Sequence, residues 1–141
     1  MATTLSATAP AQKARSSVSN GIVAGLGGGL IFGILIQMMG MISMIAMMMG
    51  SKSDLVGWLI HLMISAIFGL AYGVIGHKIS SKWAVAGILF GMILWVFGPL
   101  FMMPIMAGMT PFSFDSNTWT SLMGHVIYGL VTAWTFSRLT R

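Results

Sequence analysis

Four stretches of the chain are almost wholly apolar, and short polar intervals separate them. The first, Gly21 to Gly50, contains no charged residue at all. As a single helix rising about 1.5 Å per residue it would measure over about 40 Å, more than the roughly 30 Å hydrocarbon core of a bilayer. It spans with length to spare, and the excess is taken up either by tilt or by a break near Gly40. The other three run from Leu55 to Gly76, Trp83 to Met109 and Thr118 to Phe136. Each is close to or above the roughly 20 residues that cross a membrane as a helix.

The intervals Ser51 to Asp54 and His77 to Lys82 are short, so consecutive helices must turn back as antiparallel hairpins. The third interval, Thr110 to Asn117, is longer and contains Pro111. The pattern predicts an all-α, polytopic membrane protein with four transmembrane helices. Ahead of it, residues 1–20 are rich in Ala, Ser and Thr with Pro10, Lys13 and Arg15. That composition offers little apolar surface to offset the entropy of ordering and predicts a disordered cytosolic tail. A secretory signal peptide is the competing reading, but its apolar region would run only about 7 to 15 residues. The expected organisation is thus a tail over 1–20, a bundle over 21–137 and a cytosolic C-terminus over 138–141.

Charge sets the orientation. Lys13, Arg15, Lys78, Lys82, Arg138 and Arg141 fall in intervals on one side, whereas the opposite intervals carry Lys52 and both aspartates, Asp54 and Asp115. The positive-inside rule then puts both termini and the middle loop in the cytoplasm, in a multi-pass protein of the cell membrane. Trp58 and Trp119 fall at the outer ends of the second and fourth segments, and Trp83 and Trp134 near inner ends, as an interfacial belt requires.

Composition narrows the chemistry. Only 6% of residues are charged, against roughly a quarter in soluble domains. Two acids in the whole chain leave nothing from which to build a buried carboxylate pair, a carboxylate metal cage or an acidic proton relay, which argues against hydrolytic and phosphoryl-transfer enzymes. The absence of cysteine excludes disulfides, thiolate zinc sites and iron–sulfur clusters. The net charge of +5 is scattered singly and in pairs, so it forms no nucleic-acid-binding patch.

The sequence also repeats. A shift of 62 residues lays Val23-Ala24-Gly25 on Val85-Ala86-Gly87, Gly29 on Gly91, and Met41, Met44 and Met47 on Met103, Met106 and Met109. With two residues inserted in the second loop, His61, Ser65 and Gly69 fall on His125, Gly129 and Ala133. The expectation is a duplicated helical hairpin, 21–76 and 83–137. Each unit has an even number of spans, so the two copies are related by an axis along the membrane normal.

Small residues mark the packing faces. Gly21, Gly25, Gly29 and Gly33 recur every four residues, continued by Gln37 and Gly40. Ser65, Gly69, Gly73 and Gly76 repeat the device in the second segment, and Gly87, Gly91 and Gly98 in the third. In lipid such stripes let helix backbones approach and gain dispersion contacts, within a tight bundle, between copies, or both. Pro99 and Pro104 predict bends in the third segment.

Polar groups at membrane depth are few: Gln37, Ser43, His61, Ser65, His125, Thr132 and Thr135. His61, Ser65 and Tyr72 share the glycine face, and His125, Tyr128 and Thr132 follow the same spacing, so both histidines are expected in the bundle interior. A buried neutral histidine bonded to a backbone carbonyl or to a tyrosine is the plain reading, and haem ligation by His61 and His125 the sharper one. His77, beside Lys78, reads as a solvated loop residue. Methionine crowds the outer halves of the first and third segments. Thioether and imidazole together suit Cu(I), with Met44, Met48, Met102, Met106, His61 and His125 as the candidate set. Methionine as an adaptable filler of apolar cores is the competing and preferred account. Asp54 and Asp115 each precede a tryptophan by four residues and read as helix N-caps.

The runs Gly57-Trp58-Leu59-Ile60-His61, Phe68-Gly69 and Tyr72-Gly73, with Met102-Met103-Pro104-Ile105-Met106-Ala107-Gly108-Met109 and Gly124-His125-x2-Tyr128-Gly129, carry a resemblance. The chain resembles the small four-helix membrane proteins of bacteria and archaea grouped as domains of unknown function, with Ser65 where glycine is usual. The resemblance covers the four segments and implies the bundle and the repeated histidine, and no activity. The expected role is therefore a small structural or accessory subunit, not an enzyme, that packs in membrane lipid as a homo-oligomer or with a larger membrane complex. A copper-binding or copper-conducting protein and a bis-histidine haem carrier are the alternatives.

Overall fold

The computed structural model describes residues 8–106, 108–114 and 116–141. It is all-α: α1 (Thr8–Met38), α2 (Met41–Met48), α3 (Asp54–Ile79), α4 (Trp83–Trp95), a π-helical segment (Val96–Met102), α5 (Met103–Met106) and α6 (Ser116–Leu139). Ser17–Met38, Asp54–Gly76 and Trp83–Met106 are long and apolar enough to cross a membrane. The C-terminal helix α6 has the length, 24 residues, but its many Ser and Thr, with His125 and Arg138, make it less apolar.

The first helix starts at Thr8, not at Gly21, so the part of the expected tail from Thr8 onward is helical. Ala11, Gln12, Lys13, Ala14 and Arg15 are strong helix formers, and they extend the turns already nucleated by the apolar run. At the other end the choice between tilt and break falls on the break. α1 stops at Met38, and Gly40 takes φ 71°, a left-handed conformation that costs glycine nothing. The chain restarts as α2, which packs on α3 through Ile42 against Gly57. It ends in paired reverse bonds, Ser51 N–H to Ala46 O at 3.0 Å and Gly50 N–H to Met47 O at 2.9 Å, around a left-handed Gly50.

Both prolines sit at or beside a widened turn. Pro99 lies inside the π-helical segment, whose longer bonding register accommodates the missing donor. Pro104 likewise cannot donate to Leu100 O, four residues back, and the Phe112 amide returns from the loop to donate to that carbonyl at 2.9 Å. Phe112 accepts φ 59° in doing so.

α1 and α6 pack against each other, α3 lies along α1, and α4 lies along α6. Glycine brings these backbones together. A Cβ on Gly25 would fall 2.5 Å from the Gly69 Cα, and one on Gly21 would fall 2.8 Å from the Gly73 Cα. Between α4 and α6, a Cβ on Gly87 would fall 2.7 Å from Gly129 O and 2.9 Å from the Ala133 Cβ. Gly91 meets the His125 carbonyl in the same way. Gly98 departs from the ladder, with no atom within 4 Å, because the π-helical turn rotates it off the packing face. Below the histidines, Tyr72, Phe90, Leu94 and Tyr128 form the buried core with Ala86 and Ala133.

Candidate functional site

The interior polar groups join in a chain that crosses three helices. His61 on α3 is buried, and its Nε2 lies 2.8 Å from Gly29 O on α1. The carbonyl can only accept, so Nε2 carries the proton. Ser65 Oγ donates to His61 O at 2.8 Å, and Tyr128 on α6 donates its hydroxyl to Ser65 O at 2.8 Å. Gly28 and Gly29 make room for this chain, since Cβ atoms there would collide with Tyr128 and Thr132 and with Ser65. These are the bonds that buried polar atoms need where no water reaches.

The two histidines are not equivalent. His125 uses Nδ1, which lies 2.8 Å from Ser121 O in its own helix. Between them stands Phe32, edge-on to His61 with ring centroids 5.8 Å apart and to His125 at 5.0 Å. Gly124 leaves space for the Phe32 ring. Thr132 is fully buried, and its Oγ1 has no hydrogen-bond partner among the described residues; a Cβ on Gly28 would collide with it.

A second polar cluster ties the end of α1 and the starts of α2 and α3. The Asp54 carboxylate accepts from Gln37 Nε2 at 3.1 Å and from Ser43 Oγ at 2.6 Å, while Gln37 Oε1 accepts from Trp58 Nε1 at 2.9 Å. The N-cap reading of Asp54 is thereby corrected. Ser53 occupies the cap position, with no side-chain cap bond, and Asp54 is the first helical residue, its carboxylate drawn to side chains on α1 and α2. The corresponding reading of Asp115, and that of the His77 side chain, lie outside the described residues. Trp95, a residue the sequence did not single out, is buried at the same end of α4, where its Nε1 donates to Thr118 O at 3.1 Å and its ring stacks on Trp119.

The methionines are not interior. Met44 and Met48 are half-exposed, Met106 is 66% exposed and Met38 82% exposed, whereas His61 is 6% exposed. The candidate thioethers and the His61 imidazole therefore belong to different surfaces of the bundle. The glycine ladders of α1 and α4 claim the inward stripe, and the candidate methionines lie beyond them, on α2, the π-helical segment and α5, with their side chains turned outward. Met63 and Met123 are exposed as well, although each is close in sequence to a histidine. Among the described residues no three His, Asp or Glu side chains gather as a metal set.

A bundle of long apolar helices, closed by glycine contacts, defines a multi-pass helical membrane protein. The chain belongs to the family of unknown function DUF6789, whose model matches residues 15–141. No curated protein and no solved structure matches it.

Proposed function

We propose that the chain is a small structural or accessory subunit of the membrane, a bundle of four spans that packs against itself or against a larger membrane complex. The observation that carries this reading is how the two surfaces divide. The glycines are consumed inside the chain, Gly25 against Gly69 and Gly87 against Gly129, and His61, Ser65 and Tyr128 are bonded within it. What remains outward is large and flexible, with methionine dominating the outer ends of the spans. Such side chains remodel to fit a partner and supply no reacting group. Photo-crosslinking residues at Met47 and Met106 are expected to trap one discrete product in native membranes, a second copy or one other polypeptide. Adducts with lipid alone would refute the reading.

The same proposal includes a duplicated hairpin and a cytoplasmic location for both termini. In support of duplication, α2 begins at Met41 and α5 at Met103, positions matched by the 62-residue shift; α2 follows the break at Gly40, whereas α5 continues the π-helical segment without one. The matched pairs Gly25–Gly69 and Gly87–Ala133 both sit at helix contacts. Orientation rests on the charge asymmetry. The chain has no cysteine, so single cysteines report cleanly. Cysteines at the exposed positions Ser53 and Ser113 are expected to react with an impermeant maleimide in intact cells, and those at Ser81 and Thr140 only after lysis. The reverse pattern would overturn the orientation, and labelling of Thr140 together with Ser53 would show that α6 does not cross.

A further inference from the structure

Phe112 stands in a conformation that its backbone role does not require of a phenylalanine. Its amide donates to Leu100 O at 2.9 Å with φ 59°, where glycine carries no strain and bulky side chains are rare. Glycine would make the same bond. Burial does not explain the ring either, since it is 51% exposed and lies tilted against Phe101 with centroids 6.0 Å apart. What the ring does form is one wall of a groove of about 440 Å³, whose other walls include Leu89, Ile93, Val96, Phe97 and Phe101. Leu89, Ile93 and Val96 recur at the spacing of one helix face, and no polar side chain lines the groove. Its volume is within the range of about 300–1,000 Å³ typical of small-molecule sites.

We propose that this groove, between the outward face of α4 with its π-helical continuation and Phe112, holds one acyl chain of a membrane phospholipid. The residues from Leu89 to Phe101 lie inside the span Trp83–Met106, so hydrocarbon is what reaches them. At about 1.5 Å per residue that stretch runs for about 18 Å, close to the roughly 15 Å of one leaflet, half of the hydrocarbon core. Outward apolar side chains occur on every span. This face differs in having a wall supplied by a separate segment of chain, set in place at the expense of an unfavourable φ. The lining recognises the chain and leaves the headgroup unread.

The test uses the full chain in dodecyl maltoside, with a photoreactive diazirine residue replacing either Val96, in the groove, or Ile67, which is 56% exposed on α3. Each is irradiated with equimolar dioleoylphosphatidylcholine or dioleoylphosphatidylglycerol, and lipid adducts are counted by mass spectrometry. Adducts at the Val96 site are expected to exceed those at the Ile67 site about tenfold, the affinity that one good aromatic contact supplies, and to be alike for the two headgroups. Phe112→Gly, which keeps the amide bond to Leu100 O, should bring the Val96 yield down to the Ile67 level without lowering the thermal midpoint. Equal yields at the two sites in the unaltered background would overturn the proposal, by showing boundary lipid alone. So would a Val96 yield that survives Phe112→Gly or depends on the headgroup, or a crosslinked pair of chains in place of the lipid adduct. A thermal midpoint that falls in Phe112→Gly would overturn it too, by assigning the ring to the fold.

Discussion

Replacing Gly25 with alanine is expected to push α1 away from α3 and lower the stability of the bundle sharply, although it adds a single methyl group. Overpacking a core typically costs about 1–3 kcal/mol, because side chains shift to make room. Here nothing flexible stands in the way. The new Cβ would lie 2.5 Å from the Gly69 Cα and 2.8 Å from the Gly69 N, both backbone atoms of a helix that is itself held at Gly21 and Ser17. The cost is therefore placed at or above the top of that range. Gly87→Ala is expected to behave similarly, because Gly129 O lies 2.7 Å from its added atom. Gly98→Ala supplies the control. It too lies in a membrane helix and in the sequence ladder, but no atom stands within 4 Å of its Cβ, and alanine should be tolerated. Thermal unfolding in detergent, followed by size-exclusion chromatography, reads the difference. Similar melting temperatures for Gly25→Ala and Gly98→Ala would mean that the α1–α3 contact is not made.

Truncating Phe32 to alanine should produce the next largest loss. The ring is packed edge-on between His61 and His125 and lies against Tyr128, with centroids 6.4 Å apart. Phe→Ala changes in soluble cores cost about 3–5 kcal/mol, of which part is transfer out of water and part is the cavity. Lipid is as apolar as the interior, so the transfer part shrinks and the cavity part remains. A loss of about 2–3 kcal/mol is expected, read as the shift in thermal midpoint. Phe32→Leu, which refills most of the space, should recover more than half of it. An unchanged midpoint in Phe32→Ala would remove the ring from its place between the histidines.

The extent to which this architecture is legible in the sequence depends on what each feature rests on. Segment positions follow from hydropathy runs, and the inward stripe from glycine spacing, because both are local periodicities of one helix. His61 and Ser65 are readable as interior for the same reason, since they extend the stripe of Gly69 and Gly73. Phe32 is not readable: one phenylalanine among many apolar residues gives no signal until α3 and α6 are brought to either side of it. The Asp54 cluster is hidden in the same way. A carboxylate at a helix start looks like a cap, and only the break at Gly40, which folds Ser43 back towards α3, supplies the other partner. Methionine misleads for a different reason. Hydropathy does not distinguish the side of a helix that faces lipid from the side that faces protein, so an apolar filler of cores and an outward coat read alike.

The central claim, that the chain works by packing and not by carrying a metal or a cofactor, is tested most directly by the composition of the particle extracted from native membranes in mild detergent. Its mass, copper content and haem absorption are measured on the same sample. The account predicts a mass above that of one chain with its lipid, reached in a fixed ratio with a second copy or one other membrane polypeptide, and copper and haem far below one per chain. A particle containing one copy of the chain and one equivalent of copper or haem, lost on His61→Gln, would contradict it.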